Sequence, residues 1–286
     1  MDKVILGDNQ FLGVNHRSLS KAVDESERFV EDKAIYTTLL DANDVGVKTF
    51  MFTTHNRFET VFEYVRKDRH FDDFHFIPCM PYAHKYADAV TELGVFEGIK
   101  KYLPGNFIVT GIKGAVSIVT NQYVEMMKLL VDSEMKLVEG LNVGAIFLQN
   151  IMTDMLLGLG MYEILGEYVL YVERKYKVIP GIITMNFVEA TRVFSDVLGM
   201  RDVAVCSPVN KIGFRMNPSQ RAVEEAIRVH KSPTVAMSVF ASGAIPAEEG
   251  IKYVASLRGI DSVLFGASSR DHIERTYDLI NRYIMQ

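Results

Sequence analysis

Scarcity narrows this sequence before any motif does. Its 286 residues hold two cysteines, Cys79 and Cys206. Both fall in apolar runs that read as strands, which leaves no disulfide framework and no cysteine spacing suited to a metal. They are expected to be reduced and buried. No Pro/Gly/Ser-rich linker, charge block or low-complexity segment interrupts the chain, so one α/β domain is expected over residues 1–286. A basic surplus is missing too. Lysine and arginine total 31 against 36 aspartates and glutamates, a net charge of −5, and the cations are scattered. That excludes a nucleic-acid role. The most apolar stretch, Met155 to Val172, carries Glu163, Glu167 and three glycines. It reads as a buried helix or a subunit interface in a homo-oligomer, not as a membrane span. Gly7 and Asp8 end the first apolar run almost at once, so no signal peptide is expected and a cytoplasmic setting is.

What the sequence does contain is alternation. Short β-branched or aromatic runs occur at Lys3–Leu6, Val47–Thr53, Phe74–Met80, Phe107–Ile112, Val143–Gln149, Val178–Thr184, Val203–Ser207, Thr234–Val239 and Ser262–Gly266. Amphipathic segments such as Ser20–Asn43, Gln122–Gly140 and Gln220–His230 lie between them. Apolar runs without period-two alternation suit parallel strands buried on both faces. The pattern predicts a single (β/α)8 TIM barrel. Nine candidates are one too many. Phe107–Ile112, broken by Gly111, is expected to be an excursion between the third and fourth barrel strands. No G-x-G-x-x-G follows the first strand, which argues against a doubly wound dinucleotide sheet.

In such a barrel, function sits at the C-terminal ends of the strands. Polar residues collect there: Asp8 and His16 after the first strand, His55 after the second, Tyr82 after the third. Gln149 ends the next convincing strand, Asn186 follows the one after, and Ser242 and Gly243 come later. A ring of amides and hydroxyls can bind a polar small molecule from several sides, although Asn and Asp also cap helices. His16 and His55 with Asp8 leave a metal open, but no His-x-His pair is present. Lys85, Lys113 and Lys211 fall in or beyond loops, so a Schiff-base aldolase is disfavoured.

The most specific segment closes the chain. Ser262-Val263-Leu264-Phe265 runs into Gly266-Ala267-Ser268-Ser269-Arg270, where a helix should begin with Ser268 or Ser269 as its cap. A glycine before a helix N-terminus also makes an anion pocket, to which Arg270 adds charge. Together with Val235 to Gly243, and with Leu40 to Phe50 more faintly, this segment resembles the aldo-keto reductases. The resemblance covers about a third of the chain. It implies a (β/α)8 barrel and an NAD(P) cofactor bound by Ser242, Gly243, Gly266, Ser268, Ser269 and Arg270, the last four at its phosphate. That family's reduction uses an Asp, Tyr, Lys and His tetrad, and this chain departs from it. Met51 stands where the Asp belongs, His55 and Asn56 near the Tyr position, Cys79 and Met80 near the Lys position, and Gln149 at the His position.

Three readings follow. One is an atypical NAD(P)-linked oxidoreductase in which His55 or Tyr82 donates the proton while Gln149 and Asn186 orient a small-molecule substrate. Another is a hydrolase or lyase, with or without a metal, built on Asp8, His16 and His55. The last is a ligand-binding barrel without catalysis.

Overall fold

A computed structural model describes residues 1–14, 19–82 and 116–284. Eight strands close into a barrel: β1 (Val4–Leu6), β2 (Thr49–Thr53), β3 (His75–Met80), β4 (Ala145–Leu148), β5 (Ile179–Ile183), β6 (Ala204–Pro208), β7 (Thr234–Met237) and β8 (Ser262–Phe265). Every pairing is parallel, and β1 meets β8 through Val4↔Val263, Ile5↔Leu264 and Leu6↔Phe265. All eight match predicted strands to within two residues at either end. β3 pairs directly with β4, so no ninth strand stands between them. The Phe107–Ile112 candidate lies outside the described residues.

The strand residues split by parity into two cores. Ile5, Met51, Ile77, Cys79, Ala145, Phe147, Ala204, Cys206 and Val235 fill the barrel interior. Their neighbours face the helices and join the larger outer core. Outside β2, Phe50 and Phe52 stack at 5.1 Å. Phe58 and Phe62 of α3 (Phe58–Val65) meet this pair edge-on at 4.9 to 5.6 Å. Such pairs add about 0.5–1.5 kcal/mol each beyond the area they bury. Inside, the ring of Phe147 lies where a Cβ on Gly181 would come within 2.5 Å of it. Glycine on β5 is thus what admits the phenyl ring across the barrel, and the interior is a packed core, not a pore.

Two helix expectations need correction. Ser20–Asn43 is not one helix but two, α1 (Leu19–Arg28) and α2 (Asp32–Val45). No glycine or proline marks the break. Phe29 makes it, turning inward to meet Phe11 edge-on at 4.8 Å while Val30 stays exposed. The Met155–Val172 stretch likewise spans two helices, α5 (Asn150–Gly158) and α6 (Tyr162–Tyr176), parted at Leu159 and Gly160. Leu156, Leu157, Ile164, Leu165, Tyr168, Val169 and Val172 are buried. The remaining helices are α4 (Val116–Met135), α7 (Phe187–Arg192), α8 (Gln220–Val229), α9 (Ala247–Ser256) and α10 (Arg270–Tyr283). No described helix is long and apolar enough to cross a membrane. Cys79 and Cys206 are free and buried.

Candidate active site at the barrel mouth

The polar ring is built from three clusters. The first joins β1 to β4. Asp8 is 8% exposed, and its Oδ2 accepts the main-chain N–H of Thr53 at 2.7 Å. Thr53 Oγ1 in turn accepts from Gln149 Nε2 at 3.2 Å. One residue at the end of β2 therefore fixes both the carboxyl from β1 and the amide from β4. Burial pushes the Asp8 carboxyl above the usual range, and the Thr53 N–H offsets only part of the rise.

His55 and Tyr82 stand beside this cluster with ring centroids 4.8 Å apart. His55 Nδ1 accepts the main-chain N–H of Arg57 at 3.0 Å. That bond places the proton of the neutral imidazole on Nε2. Arg57 is itself tied down, through Nη1 to the Phe11 carbonyl at 2.7 Å and through Nε to Asp32 at 3.1 Å. Burial lowers the His55 pKa, with the Arg57 charge as a second cause. Burial also raises Tyr82, and the field of Asp8 adds to it. Asp8, His55 and Tyr82 are thus all biased toward their uncharged forms, and each then carries a proton.

A second cluster surrounds β5. Asp154 reaches from α5 to accept from Thr184 Oγ1 at 2.5 Å and from the Met185 N–H at 3.0 Å. Burial raises this carboxyl too, against the pull of those two donors. Asn186 caps α7, its Oδ1 accepting from the Glu189 N–H at 3.2 Å. Asn210, after β6, is consumed internally: its amide group exchanges two 2.8 Å bonds with the Phe214 main chain.

The third cluster lies after β7 and β8. β7 stops at Met237 because Ser238 turns left-handed (φ 54°), and Ala241 (45°), Ser242 (56°) and Gly243 (84°) follow suit. Three non-glycine residues held there cost on the order of 1–3 kcal/mol each, a strain that tends to gather at ligand sites. After β8, Ser269 takes the N-cap position of α10 in extended conformation, its hydroxyl making no capping bond. Asp271 enters the first turn, as expected. Gly266 leaves room for Gln10 Oε1, which a Cβ there would meet at 2.7 Å. Arg270, expected to meet a phosphate, is shared between Asp41 at 3.3 Å and Asp44 at 3.1 Å on α2.

The structure therefore brings Asp8, His55, Tyr82 and Gln149 together and sets Asn186 on the far side of the mouth. Ser242, Gly243, Gly266, Ser268 and Ser269 lie on the neighbouring β7 and β8 loops. His16 falls outside the described residues. Among the described residues, no group of three His, Cys, Asp or Glu side chains could hold a metal. Sequence reasoning placed Gln10, Thr53 and Thr184 among the polar strand-end residues but gave them no role in the site. Their place in polar runs directly after strands was the available signal.

Solved structures with the same chain path include a thermostable aldo-keto reductase crystallised with the inhibitor epalrestat. It is 12% identical, with a TM-score of 0.59 over 98% of this chain and 90% of its own. The fold is that of the aldo-keto reductases. A Pseudomonas aeruginosa protein provisionally assigned to that group matches at 13% identity and a TM-score of 0.59, over 99% of this chain and 91% of its own. A glycerol dehydrogenase from Gluconobacter oxydans matches at 9% and 0.50, over 99% and 93%. No family model matches the sequence, and no curated protein is significantly similar to it. The aldo-keto-reductase-like barrel is thus carried by backbone geometry with few side chains in common.

Proposed function

We propose that this chain is an NAD(P)-linked oxidoreductase acting on a small carbonyl compound or the corresponding alcohol, with its active site at the barrel mouth. The observation that carries this reading is the meeting of Asp8, His55 and Tyr82, each biased by burial toward its proton-bearing neutral form. Carbonyl reduction calls for a proton donor and a hydrogen-bond donor at the developing alkoxide, and a tyrosine hydroxyl and a neutral imidazole N–H can supply them. The fold supports it, since neighbours in fold include an aldo-keto reductase and a glycerol dehydrogenase.

The residues present fit a phosphate-bearing dinucleotide. The strained Ser238–Gly243 backbone stands beside Gly266–Ser269 and the N-terminus of α10. There, Ser268, Ser269 and the N–H groups of the first turn would hold phosphate, with Ser242 and Gly243 alongside. Arg270 would flank the site with a charge already shared by two carboxylates. A bound nicotinamide would supply the hydride. In the reduction direction the Tyr82 hydroxyl gives its proton to the developing alkoxide, and His55, neutral with its proton on Nε2, donates a hydrogen bond to the same oxygen. Asp8 sits within electrostatic reach of Tyr82, and the field of its carboxyl favours the protonated phenol. Gln149, steadied by Thr53, and Asn186 orient the carbonyl compound. The cytoplasm, which supplies the dinucleotide, is the setting this chemistry suits.

Differential scanning fluorimetry with NADPH, NADH and flavins tests the reading. NADPH or NADH should raise the melting temperature, and absence of any shift would overturn the proposal. Turnover across aldehydes and ketones with no loss in His55→Ala or Tyr82→Phe would overturn the donor assignment.

A further inference from the structure

Gln10 lies on the short helical turn Asn9–Leu12 that follows β1, and only 3% of it is exposed. Its Nε2 donates to the Gly7 carbonyl at 2.6 Å, which fixes the sense of the amide, because an oxygen in that place would face another acceptor. Oε1 therefore turns the other way, onto Gly266, where only the lack of a Cβ lets it sit. There it is buried without a hydrogen-bond partner among the described residues. Gly7 and Gly266 end neighbouring strands, joined by the Gly7 N–H to the Phe265 carbonyl at 2.8 Å. The Gln10 amide is thus folded over the seam between the first and last strands, beside the Gly266–Ser269 loop.

A buried acceptor left unpaired costs about 1–3 kcal/mol, and native proteins keep few of them. The bond to Gly7 accounts for the amide nitrogen only, so the buried oxygen calls for a reason of its own. From its position we infer that Gln10 is a specificity-determining residue, whose Oε1 accepts from a hydroxyl or amide N–H of the bound ligand. The inference rests on the dinucleotide reading above. A phosphate oxygen cannot be the group at the seam, because it would set acceptor against acceptor. The anion lies outward at Ser268, Ser269 and the α10 N-terminus, and a donor-bearing part of the same ligand reaches inward to Gln10. A ribose hydroxyl and a carboxamide share that chemistry.

The test measures affinity by calorimetry for NADH, NADPH and inorganic pyrophosphate, which offers the anion without those donors. Gln10→Met keeps the length of the side chain and removes both amide atoms; Gln10→Ala serves the same comparison if the methionine variant does not fold. The expected result is a tenfold or greater loss of dinucleotide affinity with pyrophosphate affinity unchanged. Equal losses for both probes would make Gln10 a structural plug and overturn the inference, as would unchanged dinucleotide affinity. Wild-type protein that binds pyrophosphate but neither dinucleotide, or none of the three probes, overturns the dinucleotide reading and this inference with it. Failure of the inference alone shows only in the variants.

Discussion

Asp8 at the barrel mouth and Asp68 on the outer layer carry the same side chain, and the fold moves them in opposite directions. Asp8 is buried, and burial raises its pKa. Asp68 accepts from the Tyr36 hydroxyl at 2.6 Å and from the His70 main chain, which bring it down to about 2. The contrast extends to their neighbours. Asp154, His55 and Tyr82 are pushed toward neutrality by burial. On the outer layer, Asp132 is raised by its partial burial, yet Lys175 and the hydroxyls of Tyr176 and Tyr171 outweigh this and lower it. Glu189 is lowered by Arg192, and Glu248 by Lys252. Outer charges pair with opposite charges or several hydroxyls and hold helices together, whereas at the mouth burial outweighs the hydrogen bonds the carboxyls accept. The first arrangement serves stability, and the second is of the kind that gathers at functional sites.

Substitutions can break that contrast, and the largest effect is expected at the mouth. His55→Ala should lower turnover by about 100- to 1,000-fold, the usual range for a lost hydrogen-bond donor at a developing oxyanion, while its melting temperature stays close to wild type. Asp68→Asn should leave turnover untouched. Steady-state kinetics beside thermal melts checks both. Phe147→Ala, beneath the mouth, should cost about 3–5 kcal/mol in chemical denaturation because the ring fills the barrel. Asp132→Ala should cost about 1–3 kcal/mol, since Tyr171, Tyr176 and Lys175 all donate to that carboxylate. Asp8→Asn, which mimics a protonated carboxyl, should stay within about 1 kcal/mol of wild type.

The smallest effect carries a sign. Asp68 is depressed in the folded state, so its stabilisation is present above the unfolded value of about 3.9 and is lost as pH falls toward 2. Asp8 is raised, so the folded state is favoured at low pH and loses that advantage as pH climbs past about 3.9 toward the higher folded value. In acid unfolding curves, Asp68→Asn should flatten the loss below about pH 4. Asp8→Asn should instead remove a decline above it. Identical slopes in the two variants would erase the distinction between mouth and shell.

Much of the fold was legible because parallel barrel strands are apolar on both faces, and the eight that close the barrel read as such. The break at Phe29 was not, because a tertiary aromatic contact turns the chain where the local periodicity continues. At the mouth, His55 and Gln149 stood out as polar residues issuing from apolar strands, and Asp8 as a carboxylate just past the first. Thr53 did not, since its importance lies in a main-chain N–H and a hydroxyl that serve partners 45 and 96 residues away. Gln10 was hidden for a related reason. Its significance is the absence of a partner for one atom, and no residue pattern records that. Arg270 looked like a free cation because Asp41 and Asp44 are more than 200 residues away in sequence.

The phenyl ring of Phe147, seated on Gly181, has a consequence for traffic. With the interior filled at that level, the described residues leave no passage through the barrel past Phe147. Under the proposed function a dinucleotide and a carbonyl compound would both enter from the mouth side, and the deeper one would arrive first and depart last. Exchange would then follow the order of a stack rather than a queue.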